Sequence, residues 1–125
     1  MSVPAPLPEP NDYEMARGTR RALALLSGKW SVEVLYLLAG GTRRYRDVLY
    51  DVGEISKKTL TQTLRALERD GLVVRRAYPE VPPRVEYSLT PLGWNVTGLL
   101  MSLYEWAEEH LAEAAAARPA LVVAG

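Results

Sequence analysis

The chain of 125 residues contains no cysteine and a single histidine. Without thiols it can form no disulfide, no thiolate zinc site and no thiol-based redox switch. Nowhere does it approach the roughly 18 uninterrupted apolar residues that a membrane-spanning helix needs. The first residues, Ser2-Val3-Pro4-Ala5-Pro6-Leu7-Pro8, lack the basic-then-apolar order of a secretion signal, so a cytoplasmic location away from any membrane is expected. Convergent reactive groups are missing as well. There is no nucleophile elbow, no phosphate-cradling glycine loop and no carboxylate pair awaiting a base. The lone His110 sits beside Glu108 and Glu109 and a turn from Glu113, which reads as the polar side of an exposed helix rather than a metal site. No enzymatic activity, metal or cofactor is therefore expected.

What is present is ordinary in bulk and uneven in detail. Apolar residues make up 48% and charged residues 24%, as in a soluble globular protein, and the length suits one domain. The formal net charge of zero hides a partition. Residues 17–84 carry 14 Lys/Arg against 7 Asp/Glu, while the rest carries 1 Arg against 8 Asp/Glu. A basic centre between acidic ends can bind a polyanion through one surface.

Residues 1–12 hold four of the nine prolines and show no periodicity, so they are expected to form a flexible arm. Met15, Ala22, Leu23, Leu25 and Leu26 predict a helix interrupted by Gly18. Trp30, Val32, Val34, Leu35, Leu37 and Leu38 surround the axis of a second helix, ended by Gly40-Gly41. Tyr45, Val48, Leu49 and Val52 predict a short third helix and Gly53 a turn. Ser56 can cap a fourth helix whose Leu60, Leu64 and Leu67 form one apolar stripe. Gly71 suits the left-handed residue after it. Two strand-like runs follow, 72–78 and 84–89, joined by Pro79-Glu80-Val81-Pro82-Pro83. Thr90-Pro91 then starts a last helix, expected to run to about Ala117, ahead of a flexible tail at 118–125.

Stepping 100° per residue from Leu60 places Lys58, Gln62, Arg65 and Arg69 opposite the apolar stripe, with Thr61 at the edge. Arg offers a bidentate fork to guanine, Gln pairs with adenine, and Lys and Thr reach phosphates or bases. Because the N-terminal part of a recognition helix makes most base contacts, Lys58, Thr61, Gln62 and Arg65 are the candidates for reading DNA. Arg43, Arg44, Arg46, Lys57, Arg69, Arg75, Arg76 and Arg84 are the candidates for gripping phosphates, at least one of Arg75 and Arg76 simply facing solvent. Helix, turn, helix and hairpin in this order predict a mainly α (α+β) winged helix-turn-helix domain over 13–117. Its helix-turn-helix spans about 45–70, with the reading helix at 56–69, and its two-stranded wing about 72–89.

From about Arg21 to Trp106 the chain resembles the HxlR-type family of bacterial winged helix-turn-helix regulators. The match rests on Gly28-Lys29-Trp30, Arg44-Tyr45, Leu60-Thr61, Leu64-Arg65, Leu67-Glu68, Asp70-Gly71-Leu72-Val73 and Arg75. Its densest block runs from Tyr78 to Thr90, followed by Gly93 and Trp106. The resemblance implies a homodimer that regulates transcription by binding an operator through two winged helices, and that dimerises through its first and last helices. Some members sense oxidants with a cysteine shortly before the Gly-Lys-Trp motif. Here Arg17 stands near that position, so thiol sensing is not expected.

The residues themselves also favour a dimer. Leu99, Leu100, Leu103 and Trp106 give the last helix more apolar surface than one small domain can cover. A two-fold pair should read an inverted-repeat operator. Two other readings remain open. One is a regulator answering an unknown small molecule, held by Trp30, Tyr36, Trp94 and Tyr104 near the dimer interface. The other is a protein-interaction module without DNA, which would have no need of the basic face around Gln62.

Overall fold

The computed structural model describes residues 12–122. Five helices and three short strands follow one another as α1 (Tyr13–Leu25), α2 (Ser31–Ala39), β1 (Arg43–Arg44), α3 (Tyr45–Val52), α4 (Lys57–Arg69), β2 (Val73–Tyr78), β3 (Arg84–Leu89) and α5 (Pro91–Val122). The expected proline arm lies almost wholly outside the described residues. The last helix extends past the alanine run as far as Val122, so the expected tail from residue 118 is helical in its first half.

Four apolar surfaces meet to make the core. Val34, Leu35 and Leu38 of α2, Val48 of α3 and the α4 stripe Leu60, Leu64 and Leu67 close against Leu72, Val73, Tyr87 and Leu89 of the sheet. Each fully buried Leu contributes about 1.5–3 kcal/mol relative to exposure. Leu100 joins this cluster at 9% exposure, so α5 is anchored to its own domain over its first three turns.

α1 behaves differently. It runs unbroken through Gly18, against the interruption expected there, and none of its residues is buried. Its N-terminus is closed by Asp12, whose carboxylate accepts from the Met15 amide at 3.2 Å.

The sheet has one strand more than the expected hairpin. β1 pairs antiparallel with β3, giving the order β1-β3-β2. Arg43 lies opposite Tyr87 and Arg44 opposite Glu86. Two residues are too few to show a strand period, and their partners lie more than forty positions away.

The turns that aim these elements are fixed by local chemistry. α4 ends in a glycine cap: Gly71 has φ +79°, its amide donates to the Glu68 carbonyl at 3.0 Å, and the Leu72 amide donates to the Leu67 carbonyl at 2.9 Å. That pattern turns the chain directly into β2. At the other end of the hairpin, the Thr90 hydroxyl donates to the Gly71 carbonyl at 2.6 Å and accepts from the Gly93 amide at 3.0 Å. One side chain thus caps α5 and ties it to the end of α4.

Candidate nucleic-acid interface

α4 buries Leu60, Leu64 and Leu67 and turns Lys58, Gln62, Arg65 and Arg69 to solvent, as the 100° step requires. Ser56 caps it, its hydroxyl accepting from the Thr59 amide at 3.1 Å. The first turn contains Lys57 and Lys58 and no acidic residue. Cations are the wrong charge for the positive end of a helix, which favours anions. Two lysines there are unfavourable in isolation and become favourable once a phosphate arrives.

Thr61 is half-buried, and its hydroxyl is engaged by the Tyr45 hydroxyl at 2.9 Å. The same Tyr45 hydroxyl donates to the Lys57 carbonyl at 3.0 Å. Its ring stands 6.5 Å from that of Tyr87, tilted by 49°. Tyr45 therefore links the start of α3 to the first turn of α4 and to the middle of β3. The chemistry of the residues alone gives Tyr45 only a core position at helical spacing. The phenol oxygen was the available signal, since a partly buried hydroxyl must find partners. Removing it in Tyr45→Phe is expected to lower stability by about 1 kcal/mol, read as a lower urea midpoint at constant slope.

The structure puts two of the candidate phosphate residues to other uses. The Arg43 guanidinium donates to the Leu37 carbonyl at 3.1 Å and to the Asp51 carboxylate at 2.9 Å, bracing the end of α2 against α3. Arg84 pairs with Glu80 at 3.1 Å and Glu86 at 3.8 Å and lies 4.0 Å over the Tyr78 ring. Its Nε is buried without a partner among the described residues. In the free chain both guanidinium groups are thus engaged within the domain, Arg43 between α2 and α3 and Arg84 in the wing. Arg44, Lys57, Arg69 and Arg75 form no ion pair among the described residues; Arg44 is half-buried and the other three are exposed. Along β2, Arg75 shares a row with Tyr87 and Arg76 a row with Glu86.

Beside this surface lies a hollow of about 480 Å³, between the start of α3 and the β2–β3 connection. Arg46 lines it together with Arg44 and Arg75. Of the four aromatics proposed from the sequence as a pocket, Trp30 and Tyr36 lie at α2 and Trp94 and Tyr104 on α5. Tyr36 lines a separate 420 Å³ hollow with Glu33 and Asp51, Trp30 packs partly on the core, and Trp94 and Tyr104 are exposed on α5.

Of the four residues expected to dimerise, Leu99, Leu103 and Trp106 are exposed, at 70%, 58% and 51%. Leu100 faces the other way, into the core described above. Successive residues of a helix point about 100° apart, enough for Leu100 to enter the core while Leu99 stays exposed. Tyr13, Met15 and Leu23 of α1 and Tyr104 and Leu111 of α5 extend the uncovered apolar surface.

Residues 25–115 match the family described as HxlR-like helix-turn-helix. The chain belongs to this family. It is 42% identical over 118 residues to the HTH-type transcriptional regulator YtfH of Escherichia coli strain K12, covering 94% of each chain. The ytfH structure from Salmonella typhimurium shows 42% identity and a TM-score of 0.66, over 81% of this chain and 90% of that one. The oxidised form of the redox regulator HypR shows 34% identity and a TM-score of 0.67, over 74% and 96%. As an HxlR-like protein, the chain is a transcriptional regulator with a DNA-binding winged helix-turn-helix. No catalytic family is indicated by these relatives. Among the described residues no helix is long and apolar enough to cross a membrane.

Proposed function

We infer that two copies of the chain bind an inverted-repeat operator, each placing α4 in a major groove and its wing on the flanking backbone. The observation that carries this reading is the exposed row Lys58, Gln62 and Arg65 over a fully buried leucine stripe. The rigid stripe fixes the row's direction, and Arg and Gln in that row suit purine edges. Thr61, tied to Tyr45, positions the helix and stands at the rim of the groove. Arg44, Lys57, Arg69 and Arg75 are left for phosphates, which carry affinity without sequence information. Selection of bound fragments from random duplexes should return a palindrome with half-sites about one helical turn, 34 Å, or a multiple apart. Recovery of only non-palindromic or featureless sequences would refute the paired reading. Arg75→Gln should weaken binding on all sequences alike and flatten the salt dependence by about one unit of slope, measured by titration at several salt concentrations.

The dimer is supported by α1, a helix of 13 residues with nothing buried, and by the exposed face Leu99, Leu103 and Trp106 of α5. An isolated helix of that length is marginal in water, so a second surface must support it. Leu103→Glu is expected to give a monomer by light scattering; an unchanged dimer would place the interface elsewhere.

The signal reaches this regulator by a route other than thiol chemistry. The redox regulator HypR shares the fold, but the present sequence has no cysteine to oxidise. A noncovalent ligand, a partner or simple abundance remains.

A further inference from the structure

The 480 Å³ hollow between the start of α3 and the wing has the make-up of a small-molecule site. Its volume lies within the roughly 300–1,000 Å³ of known ligand pockets. Val81, Pro82 and Pro83 form one stretch of its lining, and Tyr45 and Tyr87 line it as well. Prolines fix their own backbone, so that stretch stands ready-formed before any ligand arrives. Arg84 steadies it through Glu80 and Glu86.

Charge distinguishes this hollow from a plain apolar recess. Four arginines and one glutamate line it, and Arg84 and Glu80 compensate each other. Arg44, Arg46 and Arg75 line it without an acidic partner among the described residues. We propose that the hollow binds an aromatic carboxylate, its ring against the prolines and the tyrosines and its carboxylate on the free guanidinium groups. Guanidinium grips a carboxylate through paired hydrogen bonds, and an aromatic plate covers the apolar sides.

Occupancy opposes DNA binding. Arg44 and Arg75 belong to the set assigned to phosphates, so carboxylate and DNA backbone compete for the same cations. Tyr45 lines the hollow and holds the first turn of α4, so a ring lodged against it acts on the reading helix as well. Such coupling is reciprocal: DNA must loosen the ligand by the factor with which the ligand loosens DNA. This competitive half rests on the DNA-binding reading above, whereas the binding half does not.

Calorimetric titration of the full chain, free of DNA, with 2-naphthoate tests the binding half. One site per chain is expected, at least about tenfold tighter than for the uncharged 2-naphthalenemethanol. The double variant Arg46→Gln, Arg75→Gln, verified as folded by circular dichroism, should lose about tenfold or more of that affinity. Pro83→Gly should weaken both compounds alike by loosening the proline stretch. No saturable binding up to millimolar naphthoate, equal affinity for the alcohol, or an unchanged double variant would each overturn the site. Fluorescence polarisation of a labelled selected duplex tests competition: saturating naphthoate should shift the curve to weaker binding, and the alcohol should not. Naphthoate that binds but leaves the curve in place overturns the competition. A duplex that fails to bind without naphthoate counts against the DNA reading, while calorimetry still decides the site.

Discussion

Alanine at position 93 is expected to lower the stability of the fold by about 3 kcal/mol, the upper end of what one forced methyl costs in a packed interior. Gly93 lies in the first turn of α5 and is buried. A methyl there would collide with the carbonyl oxygen of Leu72 and stand 3.3 Å from Leu89 Cδ2. Leucine can rotate away; the carbonyl cannot. It accepts from the Thr90 amide at 3.1 Å, and Leu72 itself is clamped by the glycine cap of α4. The same helix contains Gly98, around which nothing lies within 4 Å, so the requirement belongs to the crossing and not to the helix. Urea denaturation should show a lower midpoint with unchanged slope. A midpoint equal to that of the unaltered chain would mean that α5 does not approach β2 this closely.

The second large effect falls on DNA. Arg65→Ala should weaken binding to the selected operator by about 1–3 kcal/mol, roughly 5- to 150-fold, and relax preference at one base position. The side chain is exposed on the row opposite Leu64 and Leu67 and forms no ion pair among the described residues, so its removal leaves the fold intact. Selection repeated with the variant separates this from a phosphate contact, whose loss lowers affinity without changing the preferred sequence. An operator bound as tightly as before would move the reading face elsewhere on α4.

Much of this architecture was legible because it is local. A leucine stripe, a serine cap, a glycine at the end of α4 and the Thr90-Pro91 start each depend on residues within two turns of one another. What escaped depends on distance along the chain. β1 is a strand only because residues 86 and 87 come to lie beside it. Leu99 and Leu100 are the same residue type, and their separate fates are set by where α2 and the sheet happen to stand. Arg43 and Arg84 carry the charge expected of phosphate contacts, yet Asp51 and Glu80 take that charge up within the domain. Composition counts cations; only the fold says which are still free. Tyr45 went unassigned for the same reason, since its partners at 57 and 61 are brought to it by the turn at Gly53.

The short β1 has a mechanical consequence. It fastens the backbone just ahead of α3 to the strand that carries one side of the wing, and Tyr45 fastens α3 to α4. Helix and wing are thereby held at a set separation, like the jaws of a gauge. Duplex that does not match the gauge must bend or change its groove width to fit, and pyrimidine–purine steps yield more readily than A-tracts. Base pairs between the half-sites, touched by no side chain, should then influence how well an operator is held.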